Sequence, residues 1–128
     1  MNIQNLIGFN EPKTLSYGDE NSPLLLQVHS TSSKIARDAF RAMQISVFTY
    51  MKDENNIVEL DGKKNLKMEL LSEVGIDYLA SLVTDWDGLM DADKKVPFDR
   101  NLLKQAIQNN DDLGVLINDF ASNEGNFH

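Results

Sequence analysis

Between Val83 and Asp99 the chain reads VTDWDGLMDADKKVPFD, a stretch that no single helix or strand can carry. Pro97 has no amide proton and pushes Val96 out of the helical region, so regular structure must break there. The apolar residues Trp86, Leu89, Val96 and Phe98 flank a polar centre, Asp91 to Lys95, that reads as a solvated turn tip. Asp99 then stands where an N-cap belongs. The stretch predicts a small corner hairpin around residues 86–98. Trp86, the single tryptophan, and Phe98 anchor it in the core, and Asp99 starts the next helix.

On either side of this corner the pattern is mixed. Lys13–Tyr17 and Leu24–Val28 bracket the turn formers Gly18 to Pro23, which predicts a β-hairpin with a six-residue loop. Ser30 to Ser33 offers N-caps for a helix from Lys34 to Asp53, amphipathic at first through Ile35, Ala36, Ala39, Phe40 and Met43. Asp53–Gly62 reads as a polar loop with a brief extended piece at Ile57, Val58 and Leu60. A second helix is expected from Lys64 to Thr84, with Gly75 inside it marking a close helix crossing or a bend. Beyond the corner, Leu102, Leu103, Ala106 and Ile107 share one helical face. Asp111 is positioned to cap a last helix in which Leu113, Leu116, Ile117, Phe120 and Ala121 share a side. The expected fold is α+β: an N-terminal β-hairpin packed on about four helices, with the small corner hairpin. The chain reads as one domain over residues 1–128, with 1–12 and 122–128 as loosely held ends.

Composition narrows the function. With 20 acidic and 12 basic side chains the net charge is -8. Phosphate binding needs clustered lysine and arginine, so a nucleic-acid surface is disfavoured. The absence of cysteine removes disulfides and thiolate chemistry, in keeping with a reducing cytoplasm. No apolar run reaches the roughly 20 residues that span a bilayer, and the first ten residues do not read as a signal peptide.

Catalytic chemistry is hard to assemble. An EF-hand loop needs oxygen ligands at positions 1, 3 and 5, glycine at 6 and glutamate at 12. Counting from Asp85 puts Met90 at 6 and Val96 at 12; counting from Asp87 puts Ala92 and Phe98 there. Both registers fail, and a solvated turn is the better reading of these aspartates. His29 and His128 stand apart from each other. No phosphate-cradling glycine loop, HExxH or nucleophile elbow is present. The expectation is a binding protein with no catalytic residue, metal or cofactor.

The order of features resembles the tail assembly chaperones of long-tailed bacteriophages and prophages. The resemblance rests on three pieces, LLLQVHSTSSKIARDAFRAM, YLASLVTDWDGLMDADKKVPFD and NLLKQAIQNNDDLGVLINDF, which lie within residues 13–121. It implies a small, non-enzymatic cytoplasmic protein, not part of the finished virion. Such a protein keeps the tape-measure protein soluble and works with other tail-assembly proteins, with a homo-oligomer compatible. A surface that grips many apolar segments favours methionine and aromatic side chains. The best candidate is the far end of the first helix, where Ile45, Phe48, Tyr50 and Met51 leave no polar face; Leu113, Leu116 and Phe120 of the last helix come second, and for that helix ordinary core packing is the stronger reading. The alternative from another class is an acidic inhibitor or regulatory module that covers a basic, nucleic-acid-binding partner.

Overall fold

A computed structural model of the chain describes Met1, Ile3 and residues 10–127. The N-terminal hairpin falls where the alternation puts it, as β1 (Lys13–Tyr17) and β2 (Leu24–Val28), paired antiparallel from Lys13↔Val28 to Tyr17↔Leu24. Asp19 shapes the connecting loop, its carboxylate accepting from the Asn21 amide at 2.9 Å. Leu15, Leu26 and Val28 point into the core, and the last two are fully buried.

The third strand of this sheet comes from far along the chain. β5 (Val83–Asp87) pairs antiparallel with β2, setting Leu26 opposite Trp86, with an irregularity between Gln27 and Val28. This corrects the expected helix end at Thr84: α2 (Met68–Ser81) stops earlier. Val83 and Thr84 are β-branched and sit better on a pleated surface than in a last helical turn. Residues 29–82 therefore form one long excursion between two neighbouring strands.

That excursion begins with α1 (Lys34–Tyr50), whose N-cap Ser33 accepts from the Ala36 amide at 3.1 Å. It ends three residues before the expected Asp53. Asp53 instead caps a 3-10 turn, Glu54–Asn56, by accepting from the Asn55 amide. Next comes an element read above as a loop running into a helix: a hairpin of β3 (Ile57–Leu60) and β4 (Lys63–Leu66). Asp61 and Gly62 at its tip both have positive φ, 54° and 76°. Asp-Gly is the residue pair that a two-residue hairpin turn of this hand requires, and it displaces the expected helix start from Lys64 to Met68.

The corner forms as expected. β6 (Met90–Asp91) and β7 (Lys94–Lys95) pair around a tip where Ala92 takes φ 54°. Gly88 turns the chain into it at φ 90°, and a Cβ there would strike the Pro23 carbonyl, so the corner sits directly on the β1–β2 loop. Asp99 caps α3 (Arg100–Asn109), its Oδ1 accepting from the amides of Asn101 at 2.9 Å and Leu102 at 3.3 Å. α4 (Asp111–Ser122) follows at once. Here Asn110, not Asp111, is the capping residue. Its side chain turns back to donate to the Ala106 carbonyl at 2.8 Å, which leaves Asp111 and Asp112 in the first turn, where the helix dipole favours them. The tail is more ordered than its polarity implies: a 3-10 turn, Glu124–Phe127, buries Phe127 edge-on against Phe120 at 5.7 Å.

One core joins the sheet to α3, α4 and the near ends of α1 and α2, through Leu26, Leu82, Val83, Leu103, Leu113 and Ile117, all at most 1% exposed. At about 1.5–3 kcal/mol per buried aliphatic side chain, this is where the stability resides. Between residues 43 and 76 the only buried side chains are Leu66 and Val74, and neither belongs to that cluster. The far half of the excursion is thus an arm with little core of its own.

Candidate partner-binding surface

Several of the groups singled out for chemistry are engaged structurally. Among the corner carboxylates, Asp85 and Asp87 each accept from the next backbone amide, at 2.9 Å, and Asp99 is the helix cap. Asp91 and Asp93 stand exposed at the tip. Among the described residues no group of three or more His, Asp or Glu side chains could hold a metal ion. His29 is only 5% exposed, and its Nε2 lies 3.1 Å from the Thr84 hydroxyl. Burial pushes its pKa below the ordinary histidine value, while a hydrogen bond with the Asn10 backbone works against that shift. It fastens the start of the excursion to β5. The cleft between α1, α2 and α3 holds about 210 Å³, and the more open grooves along α2 hold about 390 to 550 Å³.

What the surface does offer is apolar. α1 is 17 residues long, about 25 Å, yet buries only Ala36. The candidate residues at its far end divide by environment. Ile45 is 61% exposed and Phe48 68%, with the Lys52 ammonium 5.1 Å above the Phe48 ring; Met51 is exposed as well. Tyr50 is half-buried and donates to Glu73 Oε1 at 3.2 Å, which ties α1 to α2. The Glu73 charge and that hydrogen bond raise the phenol pKa.

The last helix is placed differently. Leu113 is 1% exposed and sits in the core, so it cannot meet a partner while the domain is closed. Phe120 is half-buried under Phe127. Only Leu116, at the flank of the stripe, stays open, beside Val115. The residues of this stripe do not share a single environment: Leu113, Ile117 and Ala121 are buried in the core, Phe120 packs half-buried against it, and Leu116 is open. Trp86 is buried in the core, and the half-buried Phe98 ring meets it edge to face at 5.0 Å.

Several open apolar side chains were not among the partner contacts expected from the sequence. Phe40, Leu60, Met68 and Leu71 are exposed, and with Ile45, Phe48 and Met51 they place seven of the large exposed apolar residues between positions 40 and 71. The signal for Leu60 lay in the Asp61-Gly62 turn, which puts it on a two-stranded hairpin too narrow to cover it. Charge divides along the same line: residues 34–82 carry 7 basic and 8 acidic side chains, and the rest of the chain 5 and 12. Residues 34–82, which include the apolar arm, are nearly neutral, and the rest of the chain holds the negative charge.

Among the described residues no helix is long and apolar enough to cross a membrane. No known protein family, curated protein or solved structure matches this chain.

Proposed function

We propose that this chain is a tail assembly chaperone of a long-tailed bacteriophage or prophage. It acts without catalysis, in the host cytoplasm, by holding the tape-measure protein soluble while the tail is built with other tail-assembly proteins. The observation that carries the reading is the arm, where Ile45, Phe48, Met51, Leu60 and Met68 are exposed on a segment of almost no net charge. A monomer gains nothing from keeping such side chains wet, whereas a protein that covers apolar helices needs them. The three sequence pieces that resemble the family lend it support.

The test is co-expression of the tape-measure client with Phe48→Asp. Because the ring is mostly in water, the variant should stay folded, and the client should move to the insoluble fraction. A folded variant that still keeps the client soluble would remove Phe48 from the binding surface.

A second reading draws on the 12 acidic and 5 basic residues outside residues 34–82, which would suit an acidic module that occupies a basic, nucleic-acid-binding partner. Salt separates the two. Binding through exposed charges weakens as ionic strength rises, while binding through apolar side chains holds or tightens.

A further inference from the structure

Gly75 lies in the middle of α2, where glycine costs about 1 kcal/mol relative to alanine. A close crossing by another element of the chain would account for it, but none is there: a Cβ built at Gly75 meets no atom within 4 Å. The space over it is open. It is the floor of a trough that runs along α2 between α1 and α4. Tyr78 belongs to both sides of that trough, bordering Phe40, Arg37 and Arg41 of α1 and, with Gly75, bordering Asp111 and Val115 of α4. The Phe40 ring stands edge-on to Tyr78 at 6.2 Å, and Leu71 extends the floor one turn back along the same helical face. Phe40, Leu71 and Val115 are 47%, 40% and 59% exposed.

The walls differ in sign. Arg37 and Arg41 are one helical turn apart on the α1 wall, and neither makes an ion pair among the described residues, although acidic side chains outnumber basic ones in the chain. Asp111 on the α4 wall makes none either. An apolar floor with a glycine at its centre, two arginines along one wall and a carboxylate, Asp111, on the other complements an amphipathic helix with opposite charges on its two flanks. We infer that this trough binds an amphipathic α-helix of a partner protein. The apolar face of that helix lies on Gly75 and Tyr78, its carboxylates line the Arg37/Arg41 edge, and its basic residues line the Asp111 edge. The missing side chain at position 75 lets the partner backbone come close, which alanine or anything larger prevents. The inference rests on the reading of the chain as a binding protein, but not on which client it serves.

The probe is a synthetic, fluorescently labelled helix of about 18 residues, long enough to be helical in isolation. It has leucine along one face, glutamate on one flank and lysine on the other. Wild-type protein should bind it saturably in an anisotropy titration. Gly75→Leu, and separately Arg37→Glu with Arg41→Glu, should each weaken binding by about tenfold or more. A second peptide with lysine on both flanks should reverse the order, binding the arginine-to-glutamate variant better than wild type. A merely structural role for the arginines cannot produce that crossover. Undiminished binding by a folded Gly75→Leu, or no crossover, overturns the proposal. So does a stable dimer of the free protein that Gly75→Leu dissolves, since a second copy would then be the occupant. If Gly75→Leu fails to fold, Gly75→Ala and the arginine pair still decide. Co-expression of the wild-type protein with the tape-measure client separates the two readings. If the client stays insoluble while the trough still binds the peptide, the chaperone reading fails and the trough stands.

Discussion

The indole Nε1–H of Trp86 donates to the Val96 carbonyl at 2.9 Å, so one side chain closes the corner from inside. Trp86 is 7% exposed, pairs through β5 with Leu26, and meets the Phe98 ring edge-on. Trp86→Phe keeps most of the burial and loses the hydrogen bond, leaving the Val96 carbonyl short of a partner; the expected cost is about 1–2 kcal/mol. Trp86→Ala should cost about 3–5 kcal/mol. Urea unfolding followed by circular dichroism measures both, and a Trp86→Ala variant as stable as wild type would show that the corner is not held this way.

Arg100 plays a part its exposure conceals. Its Nη2 donates to the Val83 carbonyl at 2.9 Å and its Nε to the Ala80 carbonyl at 3.4 Å, while the guanidinium lies 5.5 Å from the centre of the Phe98 ring. A single fork thus joins the start of α3 to the end of α2 and the beginning of β5. Arg100→Ala should lose about 1–3 kcal/mol, and lysine, which lacks the planar fork, should recover only part of it. Full recovery by lysine would mean that charge alone matters there.

Gly75→Ala should act in the opposite direction. No atom crowds the added methyl and alanine favours the helix, so the free protein should gain about 0.5–1 kcal/mol, read as a higher Tm. A loss of stability would mean that the trough is narrower than described.

His29 gives stability a pH dependence of known sign. Burial lowers its folded pKa below the ordinary 6.5, so below that value the unfolded chain takes up a proton that the folded one resists. The contribution of His29 is therefore whole above about pH 6.5 and is lost as the pH falls toward the folded pKa. His29→Gln keeps a polar partner for Thr84 and cannot titrate. Between about pH 5 and 7 its Tm should fall less steeply with acidification than that of wild type; parallel slopes would show that the imidazole does not contribute.

The sequence made some of these elements plain and hid others for physical reasons. The β1–β2 hairpin, the Ser33 and Asp99 caps and the corner were legible because each depends on neighbours in the chain: alternation, a hydroxyl or carboxylate before a helical stripe, a proline. The β3–β4 hairpin was also local, and Asp61-Gly62 announced it, but Lys63, Lys64 and Asn65 carry no apolar alternation to confirm a strand. β5 was hidden because its pairing partner lies more than fifty residues earlier, so Val83 and Thr84 could be read as a continuation of the helical stripe. Of the candidate surface, Ile45, Phe48 and Met51 proved open, whereas Leu113 and Phe120 are set into the core or against Phe127. A stripe at helical spacing shows that a face exists, not which of its edges is covered. The trough over Gly75 could not be seen at all, since α1, α2 and α4 meet there from distant parts of the chain.

The placement of β5 beside β2 has one more consequence. Both ends of the excursion over residues 29–82 are pinned to adjacent strands, so its roots are fixed while its tip is free. Removing a whole turn from α1 and a matching turn from α2 would lower the tip by about 5 Å without disturbing the sheet. Reach and body can therefore drift apart in evolution. Insertions and deletions of whole turns in this part of the chain would change how far it extends and leave the packed end as it is, as an anchor holds a longer or shorter line.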